Sequence, residues 1–494
     1  MTGRLYTLEP RDKTGVFLGM SVPELGLIGG GLMLAVLSRL AGAPTLVSAA
    51  PLLIGFGLAK LRVRGRRLRE WATLLVSWTG TRLSGRRSWQ ARLPLFPVTD
   101  STTAALPPML RDIDVVEIPW GGRQLAAVRD LRTERLTAVC VVAGPQFVCQ
   151  DSSSQDALLA SWGDVLAAPA VPGSPVVQVG WSDTAVPADL AEHRSWAEAR
   201  FAGADDLAGG IASYRELLDE VTGAASLHET LVWITVAGSR VRDTHRDPLE
   251  RAAAHLPAAV ENLMAALEAA ALHTDGPLPA AGLWQLLRAR IDPADHALRP
   301  DSASGSLAQR LGLVGRHNAG PLAVSTAWGQ LRMDGSFHRA YWIEAWPRRP
   351  VPADWLHGFL TTAECRTMTV VHWPIAPERS LRRIESQLVK LSAHRMRKEE
   401  KDRRVTEADR RTEQAAYDLE AELASGHAET LYLGLVTVSA PSAAELDASA
   451  RRIEQAARAR GLALRLLHGS QDVAWAASLP FGLVDPGLLD LVGV

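Results

Sequence analysis

Two apolar stretches near the start constrain this chain more than any other feature. Residues 22–40 and 45–61 are mostly apolar, and only Ala41-Gly42-Ala43-Pro44 separates them. As helices they rise about 28 and 25 Å, near the roughly 30 Å of bilayer hydrocarbon. The spacing predicts a transmembrane helical hairpin over 1–61, with Pro44 in its turn. Gly26 and Gly30 give the small-xxx-small spacing that lets two helix backbones approach. Two rival readings remain, a secretory signal ending near Ala43 and a helical hairpin buried in a globular protein. A second apolar stretch followed by a dense basic block argues against the first. Glycine-rich stretches without a polar face argue against the second.

Charge sets the expected orientation. The whole chain carries a formal −1, yet residues 1–92 hold 14 Lys and Arg against 4 Asp and Glu, so the positive excess sits at one end. Basic flanks on both sides of the hairpin predict a multi-pass protein of the bacterial cytoplasmic (inner) membrane with both termini in the cytoplasm. Arg39, one residue from the end of the first stretch, is placed to snorkel to the outer interface. In the following basic segment, 62–93, Leu68, Trp71, Leu74, Leu75 and Trp78 recur at helical spacing. Arg62, Arg64, Arg66, Arg67, Arg69, Trp71 and Trp78 are therefore candidate membrane-interface residues on anionic lipid. An amphipathic helix packed on the protein's own core fits the same stripe equally well, and nucleic-acid binding by the arginines is a weaker third reading.

The remainder reads as α+β, and 47% apolar against 22% charged residues is enough for a substantial core. The divisions are a β-rich α/β region over 94–210, a first α/β half over 211–300, a hairpin and strand region over 301–376, and a long helix with a second half over 377–494. Two segments echo one another, His228-Glu-Thr-Leu-Val-Trp-Ile-Thr-Val236 and His427-Ala-Glu-Thr-Leu-Tyr-Leu-Gly-Leu-Val-Thr-Val438, each preceded and followed by a helical pattern. A duplicated unit is the economical explanation, giving two related ferredoxin-like halves. Asp334-Gly335-Ser336 between apolar runs signals a hairpin. From 378 to about 423 a single long helix is expected, with Leu381, Ile384, Leu388 and Leu391 as a stripe that fades into the nearly neutral charged run 395–413. Only Cys140, Cys149 and Cys365 are present, too few for a disulfide framework, which favours a reducing compartment.

The motifs of common chemistries are missing. No Gly-x-x-x-x-Gly-Lys-Ser/Thr occurs; Gly315-Arg-His-Asn-Ala-Gly320 is followed by Pro321 instead of a lysine that would reach phosphates. Gly-x-Ser-x-Gly, His-Glu-x-x-His and Cys-x-x-Cys are absent too. His245-Arg246-Asp247 imitates a kinase loop but has Ala252 where asparagine belongs. His228 and His427 read as strand-start or core residues. The sequence assigns no catalytic, cofactor-binding or metal residue, so the expectation is a protein that is not an enzyme and carries no cofactor.

Two apolar stretches followed by a basic segment resemble the PrgI-type module, the small inner-membrane subunit of bacterial type IV secretion and conjugation machines. From about residue 100 the chain resembles the non-catalytic N-terminal domain of the VirB-type secretion ATPase. The resembling residues are Asp334-Gly-Ser with Ala345-Trp-Pro347, Pro374 and the helix from Glu378, Ala440-Pro-Ser-Ala-Ala-Glu-Leu446, and Gln471-Asp-Val-Ala-Trp-Ala-Ala-Ser-Leu-Pro480. In that family such a Leu-Pro stretch precedes the nucleotide-binding domain, whereas this sequence stops at Val494. The resemblance is thus to the actinobacterial PrgI-fused form, whose motor is a separate protein. It implies a membrane scaffold of a secretion or conjugation-like apparatus that docks a separate ATPase at the cytoplasmic face. Other channel subunits and anionic lipid are further implied partners, nucleic acid only indirectly, in an oligomeric machine. A membrane-tethered nucleic-acid-binding or transport-associated adaptor is the alternative.

Overall fold

The computed structural model describes residues 6, 22–42, 44–63, 66–68, 71, 74–75, 78–80, 87–91, 106–187, 191–202, 209–221, 226–241, 246–293, 319–400, 406–424 and 428–484. Runs rich in Val, Ile, Thr and Trp supply the strands: β1 (Arg62–Val63), β2 (Arg66–Arg67), β3 (Ser88–Gln90), β4 (Ile113–Trp120), β5 (Arg123–Asp130), β6 (Arg135–Val141), β7 (Val176–Pro187), β8 (Ser226–Ala237), β9 (Ala323–Thr326), β10 (Leu331–Met333), β11 (Ser336–Ala345), β12 (Arg366–Pro374), β13 (Thr430–Ala440) and β14 (Ala463–Leu466). Among the described residues β1 and β2 pair with each other and with no other strand. The other twelve form one antiparallel sheet in the order β3-β9-β10-β11-β13-β12-β7-β8-β6-β5-β4, with β14 beside β11.

That sheet replaces the expected pair of separate ferredoxin-like halves. β8 and β13, the two echoing segments, hold corresponding places. β8 lies between β6 and β7, β13 lies between β11 and β12, and the two groups meet where β7 pairs with β12. The long-range β7–β12 ladder, running from Ala185↔Arg366 to Val179↔His372, fuses what would otherwise be two units.

Helices cover both faces, which is why the central strands read as nearly continuous apolar runs and do not alternate. In chain order they are α1 (Val22–Leu40), α2 (Thr45–Lys60), α3 (Ser152–Ala167), α4 (Ala191–Phe201), α5 (Gly210–Val221), α6 (Pro248–Ala269), α7 (Ala280–Ile291), α8 (His357–Leu360), α9 (Pro377–Glu400), α10 (Glu407–Ala424), α11 (Ala443–Ala459) and α12 (Gln471–Ala477). One face carries α7, α12 and the segment running on to Val484 in a single core that spans both groups of strands. On the other face α3 and α6 pack on the β4–β8 side, while α8 and α11 pack on the β11–β13 side. Caps mark the helix starts: Asp247 accepts from Leu249 N at 3.0 Å before Pro248, and Ser442 accepts from Glu445 N at 3.2 Å.

Two expectations fail at the N-terminus. α1 and α2 do pack as a hairpin, but among the described residues no helix is long and apolar enough to cross a membrane. The physical reason lies in where the charges fall. Glu24 and Arg39 bound an uncharged run of roughly 14 residues in α1, about 21 Å. α2 has only 16 residues. The transmembrane hairpin, and with it the multi-pass inner-membrane placement, is therefore withdrawn.

The close approach also falls on other glycines than expected. A Cβ on Gly31 would lie 2.7 Å from Pro51 O and one on Gly55 2.5 Å from Leu27 O, whereas Gly26 and Gly30 have nothing within 4 Å.

The single long helix is corrected too. α9 ends at Glu400 and α10 folds back along it, tied by Arg395–Glu413 at 3.3 Å and Lys398–Asp409 at 2.7 Å. Thr406 and Asp409 cap each other reciprocally and start the second helix.

Candidate functional site

Buried polar side chains gather at the β7–β12 junction, and its two faces differ. On the face shared with α8, Arg366 opens β12 with a fully buried side chain. Its Nη1 donates to Asp183 Oδ2 at 2.9 Å, Nε donates to Thr362 Oγ1 at 3.1 Å, and Nη2 donates to Leu360 O. The guanidinium also sits over the Phe359 ring, 5.4 Å from its centroid. Asp183 in turn binds His228 on β8: the carboxylate only accepts, so His228 Nδ1–H donates to Oδ1 at 3.0 Å. In the neutral imidazole that leaves Nε2 as the acceptor, and Ser226 Oγ lies 3.0 Å from it. Burial pushes the Asp183 carboxyl up, but the His228 hydrogen bond and the Arg366 charge outweigh it and hold it below the usual carboxylate range. Burial likewise draws the Arg366 guanidinium below its ordinary value, opposed by Asp183.

The opposite face carries a stripe of hydroxyls under the C-terminal segment. Thr137 and Thr235 pair at 2.9 Å and Thr184 and Thr367 at 3.1 Å. Thr369 donates to Ser478 O at 2.8 Å and Thr437 to Ser478 Oγ at 3.0 Å. Gly482 closes the cover at φ +70°, where a Cβ would meet the hydroxyls of Thr137 and Thr235. His338 completes the row: Nε2–H donates to Ile291 O at 3.0 Å and Nδ1 accepts from Ser439 at 2.9 Å. Burial pulls its pKa down to about 4, so it is neutral. The cavity beneath this cover, lined by Thr184, Arg290, Cys365, Thr367 and Ser439 among others, measures about 10 Å³. Such a space holds a single water.

The sequence-derived interface residues are placed as follows. Trp71 and Trp78 pack on the protein itself, Trp71 at 6.3 Å and Trp78 at 5.2 Å from Trp328, with His468 stacked on Trp328 at 5.7 Å. Arg87 caps Trp78 at 3.5 Å. The side chains of Arg62, Arg66 and Arg67, and Arg64 and Arg69 entirely, lie outside the described residues, as does His427. Among the described residues no three His, Cys, Asp or Glu side chains gather as a metal site. The missed group is Ser226–His228–Asp183. Ser and His two apart on one strand face share a side by the pleat, a signal present in the sequence. Asp183 is brought in only by the β7–β8 register, through Ala185↔His228 and Asp183↔Thr230. No protein-family model matches the chain, and no curated protein matches it.

Proposed function

We propose that the chain is a docking scaffold of a type IV secretion or conjugation-like apparatus, with a separate ATPase as its partner. The reading rests on the resemblance of 334–480 to the non-catalytic domain of the secretion ATPases and on one structural observation. The α9–α10 pair buries Ile384, Ala416 and Leu423 along its length, while Val389, Met396 and Tyr417 on it are exposed among paired charges. Exposed apolar side chains among charges are the kind of surface that a protein partner recognises. Work from ATP hydrolysis would reach the sheet through β12, which α9 follows directly in the chain.

Capture of the tagged chain from cells that carry both proteins tests the reading. The ATPase is recovered with the wild type and lost with Val389→Glu/Met396→Glu, whose fold is checked by circular dichroism. Recovery of no ATPase with the wild type, or equal recovery with the variant, overturns it.

A further inference from the structure

We infer that Ser226, His228 and Asp183 form a nucleophile–base–orienter relay that takes the acyl group of a solvent-accessible ester. The inference is independent of the scaffold reading. Three observations converge on it. The geometry is that of an activated serine: Ser226 Oγ at 3.0 Å from His228 Nε2, and His228 Nδ1 at 3.0 Å from Asp183 Oδ1. The tautomer is the productive one, because the carboxylate can only accept and so leaves Nε2 free to take the serine proton. Asp183 itself is held ionised and immobile by buried Arg366, so the orienting group is fixed to the rigid centre of the sheet.

The surroundings suit an external substrate. His228 is 33% exposed, and Ser226 lies at the start of β8, beyond the end of its pairing with β6. Thr230 O still accepts from Val142 N on that side. By the alternation of the ladder, the N–H groups of Ser226 and His228 point the same way, and among the described residues no strand covers them. They are donors placed beside the nucleophile, where an oxyanion develops. In the reaction Ser226 Oγ bonds to the ester carbonyl carbon as its proton passes to His228 Nε2. The C–O bond then breaks and the leaving alkoxide takes that proton. Water then gives a proton to the same nitrogen and adds to the acyl carbon; the acyl–Oγ bond breaks, Oγ takes the proton back and the carboxylic acid leaves. Ser226 and His228 are the catalytic residues; Asp183 is a positioning residue.

Treatment of the full chain with a fluorophosphonate tests this directly, since Oγ–P forms as P–F breaks and fluoride leaves. The expected result is one adduct, mapped to Ser226 by peptide mass spectrometry, with at least a tenfold slower rate in His228→Gln and none at that peptide in Ser226→Ala. Both substitutions lie at a solvent-facing strand end, so folding is retained. In Asp183→Asn the amide can donate to Nδ1 as well as accept from it, so the fixed tautomer is lost: the ring 15N resonances of His228 shift and labelling of Ser226 slows at least tenfold. Absence of an adduct at Ser226, or labelling in His228→Gln at the wild-type rate, overturns the inference.

Discussion

The Asp183–Arg366 pair yields the sharpest stability prediction. Arg366 is fully buried and Asp183 is 9% exposed, so neither charge has bulk water to fall back on if its partner is removed. Arg366→Met leaves the carboxylate with His228 alone, and the expected loss is about 3–5 kcal/mol. Asp183→Leu strands the guanidinium and costs a similar amount. Removing both charges leaves no uncompensated ion, so Asp183→Leu/Arg366→Met loses less than either single change. The lowered pKa of Asp183 sets the pH window. A carboxyl depressed in the folded state contributes in full above its unfolded value of about 3.9 and loses the contribution as pH falls through the folded value. The comparison therefore belongs at pH 7, by urea unfolding followed in the near-ultraviolet circular dichroism. A double variant as unstable as the two losses combined would refute the reasoning, because it would mean that the residues act through packing and not through each other's charge.

Other perturbations have equally definite outcomes. Gly482→Ala forces a Cβ to within 2.3 Å of Thr137 Oγ1 at φ +70°, and a loss of about 1–3 kcal/mol is expected in thermal unfolding. Gly55→Leu separates α1 from α2 and lowers the unfolding temperature, whereas Gly26→Ala, with open space around it, is neutral or stabilising by up to about 1 kcal/mol. His338, depressed to about 4 from 6.5, gives full stability above pH 6.5 and loses it progressively down to about pH 4, roughly 1.4 kcal/mol per pH unit. His338→Gln flattens that slope in acid denaturation. Trp328→Ala removes the ring against which Trp71 and Trp78 pack, and limited proteolysis then cuts the N-terminal region faster.

Local structure was legible in the sequence and long-range pairing was not. The β8 and β13 runs and the Asp334–Gly335 hairpin announce themselves through composition and turn chemistry. The break between α9 and α10 was also written in the chain, since Thr406-x-x-Asp409 is a capping signal that the charged run around it obscures. Hydropathy at 22–61 overstated the spans because averaging hides the position of Glu24 and Arg39. The Trp71/Trp78 stripe is the same whether it meets lipid or protein; Trp328 and His468, far along the chain, decide it. The Ser226–His228 half of the candidate relay follows from strand alternation. Its Asp183 half needs the β7–β8 register, which no local pattern encodes.

The chemistry at the β7–β12 junction explains how two similar groups of strands meet in one register. Strands buried on both faces by Val, Met and Trp would tolerate sliding by two residues, since each slip returns apolar side chains to the same face. Polar contacts remove that freedom. Thr184–Thr367 bonds directly across the pair on one face, and Asp183–Arg366 bonds diagonally on the other. A two-residue slip breaks both at once and leaves a buried charge uncompensated, a penalty larger than the packing difference between registers. A buried ion pair adds little net stability over a well-packed apolar pair, so its value here lies in specificity: it selects one alignment of the two groups. That single alignment also sets Asp183 against Arg366 on one side and His228 on the other. The contact that joins the two groups of strands is thus the same one that holds the candidate relay in place.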